Sequence, residues 1–127
     1  MKRMLMICVI FLGSMNVANS QTLNDSTLMV ELVKNNIVYP EIVLAQAKLE
    51  TGNYTSRICR VKHNLFGLNS SKGYRSYSTW QESVVAYKKL IQSRYKGGDY
   101  YKFLERIGYA GKGNTLYTKL LKRIVKK

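Results

Sequence analysis

Glu50 closes the segment Leu44-Ala45-Gln46-Ala47-Lys48-Leu49-Glu50, just before Thr51-Gly52. Ile42, Val43, Leu44, Ala45, Ala47 and Leu49 make the preceding stretch apolar around most of a helical barrel, the pattern of a buried central helix. A carboxyl at the C-terminal end of such a helix meets the negative end of the helix dipole and apolar neighbours. Both disfavour the charged form, so the pKa is expected to rise. An acid that keeps its proton near neutral pH suits glycosidic cleavage, because the leaving sugar oxygen must be protonated. Glutamates are mostly surface residues, so for Glu50 taken alone an exposed acid at a fraying helix end is the commoner case.

The other acids have plainer readings. Glu82 and Asp99 fit helix caps. Glu31, Glu41 and Glu105 sit on helices among lysines, and none pairs with Glu50 at a recognisable spacing. One histidine, His63, and one cysteine near it, Cys59, make no zinc set, so no metal is expected. A Cys59–His63 nucleophile pair lacks an orienting third group. Cys59, close to Ile58 and Val61, reads instead as a small core residue. No glycine loop of the phosphate-cradling kind occurs, and no cofactor is expected. The ten tyrosines and Trp80 can stack on sugar faces or on nucleic-acid bases. Tyr87 and Phe103 fall on helical stripes and read as core.

These residues need helices to position them. Asp25 or Ser26 can cap a first helix carrying Leu28, Met29, Leu32, Val33 and Ile37. Pro40 opens a second helix that runs to about Glu50, with Gly52 as its stop. Residues 53–78 are rich in Gly, Ser, Asn and Tyr. There Leu65 to Leu68 and Tyr74 to Tyr77 bracket Asn69-Ser70-Ser71-Lys72-Gly73, a short hairpin or loop. Thr79-Trp80-Gln81-Glu82 is a capping box for a third helix with Val84, Val85, Tyr87, Leu90 and Ile91. Gly97-Gly98 breaks it. Asp99 caps a fourth, with Tyr100, Phe103, Leu104 and Ile107, and Leu116, Leu120, Leu121 and Ile124 mark the last. The expected fold is mainly α, about five helices with one short insert.

The first twenty residues read differently. Lys2 and Arg3 precede the apolar run Met4 to Leu12, and Ala18-Asn19-Ser20 offers small residues at a cleavage spacing. This is the order of a signal peptide, residues 1–20, too short to span a membrane. The product is expected to be exported, to periplasm or medium, as one soluble domain over 21–127 without stable membrane insertion. Cys8 leaves with the signal, so no internal disulfide is possible. Residues 21–127 hold 19 of the 21 Lys and Arg and all seven Asp and Glu, a net charge of 19 − 7 = +12. Such a charge favours polyanions, including anionic polymers of the cell envelope. Export argues against nucleic acid as the partner.

Four stretches, taken in order, resemble the glucosaminidase domain of bacterial autolysins, glycoside hydrolase family 73 of the lysozyme-like superfamily. Tyr39-Pro40 through Leu44-Ala45-Gln46-Ala47-Lys48-Leu49-Glu50-Thr51-Gly52 is similar to its "LAQ-A-x-ES/TG" helix. His63-Asn64-Leu65-Phe66-Gly67-Leu68 is similar to its "NLFGIK" turn. Tyr74 to Ser83, with Tyr77, is similar to "F-x-Y-x-S-x-x-ES". Gly108-Tyr109-Ala110, followed by Tyr117 and Leu120-Leu121, is similar to "GYATDPxYAxxL". The resemblance covers nearly all of 21–127.

It implies a lysozyme-like fold with a cleft, and hydrolysis of the β-1,4 bond between N-acetylglucosamine and N-acetylmuramic acid in peptidoglycan strands. It implies Glu50 as general acid, with Asn64, Phe66, Gly67, Tyr77, Tyr109 and Tyr117 at the substrate. Two departures stand out. No Asp or Glu lies between Glu50 and Glu82, where members usually offer a second carboxylate. The usual Asp-Pro of the fourth stretch is replaced by Gly111-Lys112-Gly113-Asn114. A lytic transglycosylase or N-acetylmuramidase acting on the same glycan, and a non-catalytic basic cell-wall-binding module, stay open as alternatives.

Overall fold

A computed structural model describes residues 21–127; the expected signal peptide lies outside the described residues. The described chain is mainly helical. Its elements are α1 (Asp25–Lys34), α2 (Pro40–Thr51), α3 (Arg57–Arg60), a two-stranded hairpin of β1 (Asn69–Ser70) and β2 (Gly73–Tyr74), α4 (Trp80–Leu90), a 3₁₀ turn (Gln92–Arg94), α5 (Tyr100–Arg106) and α6 (Thr115–Lys126).

The second helix is the centre of the fold. Pro40 stands in its first turn, and Ile42, Val43, Ala45, Gln46, Ala47 and Thr51 are buried along it. The helix α1 packs on one side and α6 on another, while α3 joins near its end. Leu28 and Leu32 of α1, Val84 and Tyr87 of α4, Phe103 and Leu104 of α5 and Leu121 of α6 close the same core. Cys59 is buried in it, and burial pushes its thiol up, as befits a packing residue.

The ends of the elements depart from the sequence reading in places. Asn24, one residue before the expected caps, caps α1: its side chain accepts from the Thr27 N–H at 2.9 Å, and Thr27 Oγ1 accepts from the Asn24 N–H at 3.0 Å. This is a capping box with threonine in the role usual for an acid. Val33 is exposed, and Ile37 reaches the core from beyond the helix. At α4 Thr79 caps as expected, but Glu82 reaches one residue further back, accepting from the Ser78 N–H at 2.8 Å. Asp99 caps α5 through the N–H groups of Tyr101 and Lys102.

The short helix α3 was absent from the expected elements. Ser56 caps it, and four residues show too little periodicity to be read. Of the hairpin and the loop that the sequence leaves open at residues 69–73, the structure forms the hairpin, with Asn69 opposite Tyr74 and Ser70 opposite Gly73.

Candidate active site

Glu50 occupies the last turn of α2, half-buried. The helix stops there because Gly52 takes a left-handed conformation, φ +57°, and returns its N–H to the Lys48 carbonyl. Thr51 reinforces the stop: its hydroxyl donates to the Ala47 carbonyl at 2.7 Å and accepts from the Tyr54 N–H at 2.7 Å. Burial raises the pKa of Glu50, and a hydrogen bond from Tyr117 lowers it in part. The direction agrees with the expectation, and desolvation is its leading cause.

A turn holds the opposite wall. Asn64 is fully buried and uses its whole amide there. Its oxygen accepts from the N–H groups of Phe66 and Leu68, and its nitrogen donates to the carbonyls of Leu68 and Arg75. This clamp ties the turn to the hairpin and sets Gly67 at φ +66°. A Cβ on Gly67 would lie 2.6 Å from Glu50 Oε1. Glycine is required there for its backbone angle and for the space the carboxyl occupies.

Gly67 also lines a cavity of about 290 Å³, together with Phe66, Leu68, Asn69, Leu90, Ile91, Ile107, Gly108 and Tyr109. Arg75 and Arg94 stand in its wall. Glu50 is not in that wall; Gly67 connects the two, lining the cavity and standing against the carboxyl. No acid lines the cavity. Among the described residues, the acids other than Glu50 are engaged elsewhere where their partners are seen. Asp25 pairs with Lys48, Glu31 holds Asn35, Glu82 and Asp99 cap helices, and Glu105 accepts from Thr118.

The aromatic residues are placed unevenly. Tyr109 lines the cavity, but its hydroxyl donates to the Phe66 carbonyl at 2.6 Å and so braces the turn. Its ring stacks on Tyr117, 5.7 Å between centroids. Tyr117 is buried, and its hydroxyl donates to Glu50 Oε2 at 3.1 Å. The structure makes it a partner of the acid, where a sugar-facing side chain was expected. Asn64 and Phe66 are likewise too deeply buried to offer their side chains to a glycan; they build the wall. Tyr77 does not line the cavity, and its buried hydroxyl finds no hydrogen-bond partner among the described residues. Tyr87 and Phe103 are core, as expected. Most other rings pack on one another, as Tyr39, Tyr95 and Tyr100 do.

Two polar residues at the site went unread. Gln46 is fully buried in the apolar stretch of α2 and bonds Tyr117 and Tyr87. An uncharged amide inside an otherwise apolar run is the signal that marks it. Asn114, in the segment that lacks the usual Asp-Pro, caps α6 by accepting from the N–H groups of Leu116 and Tyr117.

Among known families, the model described as mannosyl-glycoprotein endo-beta-N-acetylglucosaminidase matches residues 26–127. The chain belongs to the glucosaminidase family. The match runs from α1 to the end of α6, so it takes in every element around Glu50. As a glucosaminidase-family member the chain is a glycoside hydrolase, and its mainly helical fold is the lysozyme-like one expected. Comparisons with curated proteins and with solved structures give no significant match. Among the described residues no group of His, Cys, Asp and Glu is placed to hold a metal ion, and no helix is long and apolar enough to cross a membrane.

Proposed function

We propose that this glucosaminidase-family chain is an exported peptidoglycan hydrolase that cleaves the β-1,4 bond between N-acetylglucosamine and N-acetylmuramic acid, with Glu50 as general acid. The observation that carries the reading is the carboxyl of Glu50, lifted in pKa by burial and set beside the Gly67 edge of a cavity. Such an acid holds its proton until the leaving oxygen takes it, and Tyr117 then stabilises the carboxylate left behind.

The cavity supports the choice of glycan. Leu90, Ile91 and Ile107 offer an apolar floor for a sugar ring, and Arg75 and Arg94 suit carboxylates carried by muramic acid and its peptides. The Nε of Arg75 donates to the Asn69 carbonyl at 3.2 Å, which orients the guanidinium and leaves its terminal nitrogens for a ligand.

With no acid in the cavity wall, the substrate's own acetamido oxygen is the nearest available nucleophile for the anomeric carbon in this mechanism. Attack forms a cyclic oxazolinium as the glycosidic bond breaks and Glu50 gives its proton to the departing oxygen. Water then opens the ring and returns a proton to Glu50. The lone acid also fits a lytic transglycosylase, in which a muramic 6-hydroxyl displaces the neighbouring sugar.

Digestion of purified peptidoglycan followed by mass spectrometry tests both. Reducing N-acetylglucosamine ends are expected; anhydro-muramic ends would replace the hydrolase by the transglycosylase. Glu50→Gln should lower the rate by about 10²–10⁴-fold, and unchanged digestion would remove Glu50 from the mechanism. Binding to walls without any released fragment would favour a non-catalytic module.

A further inference from the structure

A continuous line of buried hydrogen bonds leads away from Glu50 through five side chains. Tyr117 donates to Glu50 Oε2 at 3.1 Å, and Gln46 Nε2 donates to the Tyr117 oxygen at 3.1 Å. Tyr87 donates to Gln46 Oε1, and the hydroxyls of Tyr87 and Tyr100 lie 2.8 Å apart. Gln92 Nε2 donates to the Tyr100 oxygen at 2.9 Å. Gln46, Tyr87, Tyr100, Gln92 and Tyr117 are all buried.

The direction of this chain follows from its members' chemistry. Each hydroxyl has one hydrogen to give, an amide oxygen only accepts and an amide nitrogen only donates. The backbone of Val38 fixes the Gln92 amide: its N–H donates to Oε1 at 3.0 Å and its carbonyl accepts from Nε2 at 2.8 Å. The other Nε2 hydrogen therefore faces Tyr100. The hydrogen of Tyr87 is engaged by Gln46 Oε1, so between the two tyrosines Tyr100 is the donor. Every hydrogen in the line then points toward Glu50. Reversing the Gln46 amide would turn the Tyr117 hydrogen onto Gln46 and present a lone pair to Glu50.

We propose that Gln46 is a positioning residue for Glu50: its amide, held by Tyr87, makes Tyr117 present a hydrogen and not a lone pair to the carboxyl. The role in turnover rests on Glu50 being the general acid; the orientation itself does not. The arrangement favours the carboxylate that forms as the proton leaves, which is where a positioned donor lowers the barrier. The titratable groups that face Glu50 are Tyr117 from α6 and Tyr109 from the segment after α5. On α2 itself Lys48 is drawn away to Asp25, the one ion pair among the described residues. The Tyr117 hydrogen is thus the main polar influence on this acid, and its direction matters correspondingly.

The test is the titration of the Glu50 carboxyl, followed by NMR in carbon-13-labelled protein, in parallel with the pH dependence of peptidoglycan hydrolysis. Losing the donor raises the pKa, so the alkaline limb of activity, where the acid loses its proton, should move to higher pH. Tyr117→Phe should raise the Glu50 pKa by about one unit. Tyr87→Phe, which does not touch Glu50, frees the Gln46 amide to reverse and should raise it by roughly half a unit. Tyr100→Phe removes a buried hydroxyl from the same line but leaves Tyr87 donating to Gln46, so the pKa should stay in place.

A role in packing alone would treat Tyr87→Phe and Tyr100→Phe alike. Equal titration of Glu50 in those two variants, or none of the expected rise in Tyr117→Phe, overturns the proposal. If Tyr87→Phe does not fold, Gln46→Met against Tyr100→Phe makes the same comparison. There the Tyr117 oxygen loses the donor that polarises and orients it, so its hydrogen bond to Glu50 weakens, and an unmoved pKa overturns the proposal. A shifted pKa together with a fully active Glu50→Gln would leave the orientation standing and remove only the general-acid reading.

Discussion

Gly67 answers two demands with one missing carbon. Its φ of +66° disfavours any side chain, and the place where a Cβ would sit is 2.6 Å from Glu50 Oε1. Gly67→Ala should cost about 1–2 kcal/mol of stability from the backbone angle alone. The clash is with the flexible end of a glutamate, so the fold can yield by moving that carboxyl. Activity should therefore fall far more than stability, on the order of 10²-fold for a displaced reacting group. Melting curves and digestion rates on the same preparation separate the two; a loss of activity no larger than the unfolded fraction explains would remove Gly67 from the site. The pair was legible in sequence only as two motifs, one around Glu50 and one around Gly67. Their contact depends on the Asn64 clamp, four hydrogen bonds that span eleven residues. No local pattern records a fully buried asparagine; Gln46 stands out as an amide in an apolar run, but its partners come from α4 and α6, far along the chain.

The six α-helices of the described residues differ in how clearly their ends are written. Pro40 and Gly52 frame α2 through backbone angles that only a few residues satisfy, so both ends were readable. The start of α1 was misplaced by one residue because Asn24, Asp25 and Ser26 can all cap, and only the return bond from Thr27 selects Asn24. The start of α6 is the instructive case. The Asp-Pro expected before Tyr117 is missing, yet Asn114 accepts from the Leu116 and Tyr117 N–H groups at 3.1 and 3.3 Å and donates to the Ala110 carbonyl at 2.8 Å. One side chain thereby caps the helix and anchors it to the segment that carries Tyr109. Asn114→Ala should lower stability by about 1 kcal/mol, a fall in melting temperature of about 4–8 °C for a domain of this size. Asn114→Asp, which keeps the acceptor and adds favourable charge at a helix start, should retain most of the lost stability. An alanine variant that melts with the parent would show that the cap contributes nothing.

At the scale of the whole molecule, charge is the dominant property not used by the acid. Residues 21–127 carry +12, and the described residues form a single ion pair. The outer face of α6 alone exposes Lys119, Lys122, Arg123 and Lys126, and the exposed Lys127 follows it. A surface of this kind is attracted over distance to an anionic polymer, and the attraction is screened by salt with a length of about 10 Å at 0.1 M and about 3 Å at 1 M. Contacts inside the cavity, made at van der Waals and hydrogen-bond distance, are screened far less. The two contributions can therefore be separated. Retention on intact walls carrying anionic polymers should drop steeply as salt rises through this range, whereas turnover of a short, soluble glycan fragment should change little. Replacing Lys119, Lys122 and Lys126 by glutamate should weaken retention at low salt and leave turnover of the fragment in place, because none of the three lines the cavity beside Gly67. Retention that ignores both salt and these substitutions would mean that the wall is held by glycan contacts in the cavity, and that the net charge serves only to keep the protein in solution.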